Sequence, residues 1–270
     1  MAANGTFRVG GEQHEGGAVR LSGISDIPTA TGESRRPRRL LHLIARRGDS
    51  HGFPENTLPA LRSALALGAR FIEIDVHLSA DGTPLVIRDE MLTHRAVTDI
   101  PTLADVLGLL EGHPEITLFV MLGRASVLRF GHEQVVTRVA RALRPFRSQC
   151  ILGSMDLPAI HAARVLAGYP IAWIVPGYDG HIRLKYEALQ PEYVFCDRRY
   201  LPATGALWRG PWRWAITEVE SLEETLALAQ RGADFVASPH VKSLGEAMLS
   251  HSATITQSRL EAILTGSKQS

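Results

Sequence analysis

The sequence predicts an α/β protein, either a (β/α) barrel or a doubly wound sheet. From Leu40 onward, short apolar runs rich in β-branched and aromatic residues recur along the chain. Several are almost continuously apolar, the pattern of parallel strands covered on both faces. Between many of them lie segments with apolar residues at helical spacing, and such strand–helix alternation belongs to α/β folds.

The strand candidates are 41–45, 71–76, 84–87, 116–122, 150–153, 171–175, 193–196, 212–217 and 234–237. Helical spacing is clearest at 57–67, where Leu58, Leu61 and Leu65 share a face, and repeats at 102–110 and 221–231. Ser221 with Glu224 three residues later has the form of a capping box. A barrel has eight strand places, so one candidate is wrong or marks an additional strand. The segment from Val76 to Pro84 is too short for a helix, and Ser79-Ala80-Asp81-Gly82 reads as a turn.

Residues 1–38 are rich in Gly, Ser, Thr and Arg and read as a flexible tail that cannot bury enough surface to order itself. The basic run Ser34-Arg35-Arg36-Pro37-Arg38-Arg39 reads as a solvated linker or, less simply, an anion or partner contact. The expected organisation is a tail over 1–38, a barrel over 39–252 and a polar C-terminal tail over 253–270. With 45% hydrophobic and 21% charged residues and a net charge of +1, nothing global directs the chain to nucleic acid or membranes. No apolar run reaches the roughly 18 residues of a spanning helix, and no secretory leader pattern opens the chain. Two cysteines, Cys150 and Cys196, form neither a disulfide framework nor a zinc cluster, so a reducing, cytoplasmic setting is expected.

The chemistry concentrates in three segments. Ala45-Arg46-Arg47-Gly48-Asp49-Ser50-His51-Gly52-Phe53-Pro54-Glu55-Asn56-Thr57 follows the first strand. Phe71-Ile72-Glu73-Ile74-Asp75-Val76 is the second, and Asp81-Gly82-Thr83-Pro84-Leu85-Val86-Ile87-Arg88-Asp89 ends the third. In a barrel, strand C-termini build the active face. Glu73 and Asp75 point the same way from their strand. Two readings stand: a cation site for Mg2+ or Ca2+, or pairing with Arg46, Arg47 or Arg88.

The motifs Arg-Gly, Pro-Glu-Asn-Thr, Glu-x-Asp-Val and Asp-Gly-x-Pro-Leu-Val, in this order and spacing, resemble the glycerophosphodiester phosphodiesterase family. The resemblance spans 44–92 and continues through Pro101-Thr102-Leu103. It returns at Ser154-Met155-Asp156, Trp214-Ala215-Ile216-Thr217 and Gly232-Ala233-Asp234. It implies a TIM-type (β/α)8 barrel of the phospholipase-C-like kind. It also implies a role in lipid metabolism, with a divalent metal used to hydrolyse glycerophosphodiesters to an alcohol and glycerol phosphate.

Three positions depart from the family. Arg46 and Arg88 stand where the family carries its two catalytic histidines. An imidazole exchanges protons near neutral pH, whereas a guanidinium does not deprotonate in proteins. Met121-Leu122-Gly123 falls where the family has Glu-x-Lys, so Met121 replaces a third metal carboxylate.

Three functions remain open: a catalytically impaired member that binds a phosphorylated or anionic ligand, an active enzyme with His51 as substitute proton carrier, or a regulatory or interaction subunit without catalysis. On the first, Arg47, Glu55, Asp89 and Trp214 contribute to substrate binding, while Glu73 and Asp75 hold metal if metal is retained. The plainer readings are a helix-start carboxylate for Glu55, an exposed loop residue for His51, core packing for Trp214 and an orienting partner of Arg88 for Asp89. His77 is expected to hydrogen bond, and Cys196 and Asp197 lie at a strand end that opens on the mouth.

Overall fold

The computed structural model describes residues 41–88 and 100–266, with the backbone alone at 255–256 and 258–266. The expected N-terminal tail therefore lies outside the described residues.

In chain order the elements are β1 (His42–Arg46), α1 (Leu58–Ala66), β2 (Phe71–Leu78), β3 (Pro84–Val86), α2 (Leu103–Gly108), β4 (Thr117–Leu122), α3 (Arg124–Phe130) and α4 (His132–Leu143). There follow β5 (Cys150–Ser154), α5 (Leu157–Val165), β6 (Ile171–Ile174), α6 (Gly180–Leu189), β7 (Tyr193–Asp197), β8 (Arg213–Thr217), α7 (Leu222–Arg231), β9 (Phe235–Ser238) and α8 (Val241–Gly266). Eight parallel strands run in the order β1-β9-β8-β7-β6-β5-β4-β2, and a further β1–β2 pairing closes them into a barrel. All nine expected strands form. The ninth, β3, pairs antiparallel with the end of β2 from Val76↔Val86 to Leu78↔Pro84. The Ser79–Thr83 turn makes this hairpin, with Gly82 at φ +84° and the Ser79 amide donating to Thr83 O at 2.9 Å.

Alternation along the strands sorts the apolar residues into two cores. Ile44, Phe119, Ile151, Ala172, Phe195, Ala215, Phe235 and Ala237 fill the barrel, with Phe71 and Tyr193 packed against them. The intervening residues, such as Ile72, Ile74, Val120, Leu152, Trp173 and Ile216, pack outward against the helices. Burial on both faces explains why the strands read as unbroken apolar runs. The helices start where hydroxyls accept the first amides: Thr102 makes a full capping box with Asp105, and Ser221 accepts from the Glu224 amide. The Glu224 carboxylate reaches the Glu220 amide at 3.3 Å, so the expected box at 221–224 is shifted by one donor.

The expected C-terminal boundary at 252 falls inside α8, which continues to Gly266. Among the described residues, no helix is long and apolar enough to cross a membrane.

Candidate functional site at the barrel mouth

Register brings the singled-out residues to one end of the barrel. Arg46, last in β1, lies opposite Glu73, and Asp75 lies opposite Met121 on β4. Met121 is 3% exposed and lies across Gly153, in the space a β5 side chain would occupy. The expected position of a third metal carboxylate is thus a buried thioether that floors the mouth.

Each arginine faces carboxylates. Arg47 adopts φ +57°, which turns its side chain so that Nε donates to Asp75 Oδ2 at 2.6 Å and Nη1 to Glu55 Oε2 at 2.9 Å. Arg88 Nη1 approaches Glu55 Oε1 at 3.1 Å. Arg46 Nη1 pairs with Glu218 Oε1 at 2.6 Å, and its Nε lies 3.8 Å from Glu73 Oε2. Glu55 precedes Thr57, the cap of α1, so its carboxylate serves the mouth rather than the helix's first turn. Asn56, buried and at φ +57°, donates from Nδ2 to Asp75 Oδ2 at 3.0 Å and accepts the Asp75 amide at 3.1 Å. That pair of bonds fixes Asp75 against the loop after β1. Gly48, at φ +83°, lets the loop pass so close to α1 that a Cβ there would come within 2.7 Å of the Ala60 carbonyl carbon.

Electrostatics follow from burial. Glu73 is 6% exposed, and its Oε2 has no hydrogen-bond partner. Burial, and then the charge of Asp75, push its pKa up to about 7, although Arg46 and Arg47 act in the opposite direction. Burial works against the Arg47 charge, but Asp75, Glu73 and Glu55 outweigh it and hold Arg47 more firmly protonated than a free guanidinium.

The other expected residues divide. His51 is exposed; its ring packs on His240 at 4.4 Å between centroids, and its amide donates to Pro239 O at 3.2 Å. It stands at the rim and makes no hydrogen bond to Glu73 or Asp75 among the described residues. Trp214 does not line the mouth: alternation turns it outward from β8, where Nε1 donates to Trp208 O at 2.8 Å beside Tyr178 and Tyr186. Asp89 lies outside the described residues. His77 is buried, with Nδ1 3.1 Å from Ser126 Oγ, and its ring fills the space beside Gly123. Cys196 faces the helical layer, where burial pushes its thiol up to about 12. Its neighbour Asp197 turns to the mouth side and pairs with Arg199 at 2.6 Å, which holds its carboxyl below the usual range.

Sequence reasoning missed Glu218 and the role of Asn56. Glu218 follows the last residue of β8, and the rule that barrel strand ends carry function points to it. Asn56 sits within the Pro-Glu-Asn-Thr motif itself.

This donor set does not fit Mg2+ or Ca2+. Such cations take six or more oxygens. Here Asp75 is held by Arg47 and Asn56, Glu218 by Arg46, Glu55 by Arg47 and Arg88, and Met121 offers no oxygen. Among the described residues, no group of three His, Cys, Asp or Glu side chains is disposed to hold a metal ion.

Residues 47–107 match the model of the glycerophosphoryl diester phosphodiesterase family. Over 72 residues the chain is 44% identical to human glycerophosphodiester phosphodiesterase 1, covering 26% of this chain and 22% of that protein. Over 48 residues it is 54% identical to the glycerophosphodiester phosphodiesterase of Caldanaerobacter subterraneus, covering 18% of this chain and 20% of the relative. The match thus spans about a fifth of the length of these curated relatives. An Oleispira antarctica phosphodiesterase, solved with the product sn-glycerol-3-phosphate, shares the fold with a TM-score of 0.65 at 19% identity, over 76% of this chain and 96% of that one. The Thermotoga maritima glycerophosphodiester phosphodiesterase does so with a TM-score of 0.60 at 18% identity, over 77% and 98%.

Proposed function

We propose that this chain is a member of the glycerophosphodiester phosphodiesterase family whose mouth binds a phosphorylated or otherwise anionic small ligand while having lost most of the family's hydrolysis. The observation that carries this reading is that Arg46 and Arg88, at the two expected histidine positions, both point into the carboxylate cluster.

Hydrolysis at phosphorus needs a group that takes a proton from the attacking oxygen and one that gives a proton to the leaving oxygen. Neither guanidinium does this. Loss of such a carrier costs on the order of 10²–10⁴-fold. Binding is different, because a planar guanidinium matches two phosphate oxygens. Arg46 and Arg88 keep 20% and 32% of their side-chain surface exposed against 14% for Arg47, so the first two are the groups a ligand meets. The sn-glycerol-3-phosphate in the Oleispira antarctica relative supports a phosphate ester of that size as ligand here. A cytoplasmic setting belongs to the same reading, supported by two free, buried cysteines.

The test is hydrolysis of glycerophosphocholine by the native chain with Mg2+, Ca2+ or EDTA, beside the Arg46→His/Arg88→His variant, with calorimetric titration of sn-glycerol 3-phosphate. Expected are no native turnover in any condition and saturable binding that Arg88→Ala weakens at least tenfold. Metal-dependent turnover by the native chain, lost in His51→Ala, would establish instead an active enzyme with a displaced proton carrier. Absence of both turnover and binding would favour a purely regulatory or interaction role.

A further inference from the structure

We propose that Arg46 is a tethered cation that takes the place of a divalent ion, so that the barrel mouth is neutralised by the chain itself and excludes metal. The proposal concerns the mouth treated above but does not require any anion to bind there.

Glu55, Glu73, Asp75 and Glu218 meet at one end of the barrel, and like charges at such short range disfavour one another. Arg47 and Arg88 answer Asp75 and Glu55. Glu73 and Glu218 are left on either side of Arg46, one on the neighbouring strand β2 and one just past β8, two strands away. The strand between β1 and β8 is β9. Its inward residue Ala237 pairs with Ile44 and Thr217, so this small side chain lies below the line from Arg46 to Glu218. Arg46 spans the gap, 2.6 Å from Glu218 Oε1 and 3.8 Å from Glu73 Oε2.

Two further features fit a built cation seat. Glu73 Oε2 is buried without a hydrogen-bond partner, and the Arg46 guanidinium is the cation beside it. Glu218 holds φ +62°, a left-handed backbone that a glutamate rarely adopts and that must be compensated by what it achieves. The conformation brings its carboxylate back over the mouth to Arg46. A guanidinium satisfies two carboxylates at these separations without drawing them together. A divalent ion would have to gather their oxygens within about 2.0–2.6 Å of one point and displace an intramolecular partner.

The test reads thermal stability and cation binding, in buffer free of phosphate, for the native chain, Arg46→Ala and Arg46→Ala/Glu218→Gln. With EDTA or with millimolar Ca2+, Mg2+ or Mn2+, native Tm is expected to stay constant within error. Arg46→Ala is expected to melt lower in EDTA and to recover several degrees with one of the cations, because binding to the folded state stabilises it. The double variant should lose that recovery. Calorimetric titration should give one Mn2+ site in Arg46→Ala, with at least tenfold tighter binding than in the native chain. Should Arg46→Ala fail to fold, Arg46→Met keeps the side-chain volume without the charge and is read in the same way. A one-site, Glu73-dependent Tm rise in the native chain, or a folded Arg46 variant that gains no cation binding, overturns the proposal. Neither result alters the outcome of the sn-glycerol 3-phosphate titration, so this proposal and the ligand-binding reading fail separately.

Discussion

Glu73 couples the mouth to pH through one side chain. Its carboxyl is buried beside Asp75, with a pKa raised to about 7, well above the ordinary value of 4.5 that the unfolded chain restores. The folded state therefore holds this proton more tightly than the unfolded state. The resulting stability is fully present below about pH 4.5 and is lost as pH rises through about 7. Glu73→Gln removes the titration while keeping the shape. It is expected to be more stable than the native chain at pH 8 by about 1–3 kcal/mol, with the difference shrinking toward pH 4.5 in urea titrations. A constant difference across that range would show that Glu73 does not titrate between those limits. Gly123 makes a second case at this scale. Its missing side chain leaves room for the His77 ring, so Gly123→Ala forces the imidazole off Ser126. Expected is a loss of about 1–3 kcal/mol, much reduced in a His77→Ala background, where a double-variant cycle reads the clash directly. Glu73 and Asp75 could be assigned to the mouth from alternation and Arg46 from its place at the end of β1, whereas Glu55 was placed there only by the family resemblance and Arg47 turns inward through a left-handed backbone that no periodicity announces. Trp214 could not, since the same alternation turns it outward once β8 is known to start at Arg213. Glu218 escaped because its role depends on a backbone angle and a partner two strands away.

At the scale of elements, periodicity and capping chemistry were enough to find every strand and the helices at 57–67, 102–110 and 221–231. They were not enough to say which strand was additional. The β3 hairpin differs from the parallel strands only in its short Ser79–Gly82 connection, and a turn of that length permits only antiparallel pairing. The end of α8 was also hidden, because the polar run around 250–254 interrupts the pattern, although Leu260, Ile263 and Leu264 beyond it recur at helical spacing and the helix continues to Gly266. Thr102 links two of these elements. It caps α2 by accepting the Asp105 amide at 3.2 Å, donates its own amide to Asp105 Oδ2 at 2.8 Å, and bridges to Leu85 of β3. Its removal should cost more than a cap alone. Thr102→Ala is expected to lower stability by about 1–2 kcal/mol in chemical denaturation, whereas Thr102→Ser, which keeps the hydroxyl, should stay within about 0.5 kcal/mol of the native chain. Equal losses in the two variants would assign the effect to the methyl group's packing instead of the cap.

At the scale of the whole molecule, the alternating pattern left a barrel and a doubly wound sheet equally open, and closure decides between them. β1 is the strand that closes the ring, paired with β9 on one side and β2 on the other. The arginine network lies over this seam: Arg46 and Arg47 leave β1 toward Glu218 past β8 and Asp75 on β2. Those pairs are partly solvated, so 1 M NaCl should shift the unfolding midpoint by less than about 1 kcal/mol equivalent, whereas deleting Arg46 alone strands Glu73 and Glu218 and costs more than screening the intact pairs. The aromatic interior is a different matter. Phe119 is fully buried and meets Tyr193, Phe195 and Phe235 at centroid distances of 5.0, 5.2 and 6.2 Å, so one ring from β4 packs against β7 and β9 across the barrel. Phe119→Ala leaves a cavity that no single strand can close, because closure fixes the radius of the ring. The expected loss is about 3–5 kcal/mol in urea, with tryptophan fluorescence and far-ultraviolet circular dichroism moving together, since no arc of the barrel keeps its core without the rest. Separate transitions for the two signals would mean that the half bearing Trp173, Trp208, Trp212 and Trp214 folds without the seam, and that the mouth is assembled late from two independently stable parts.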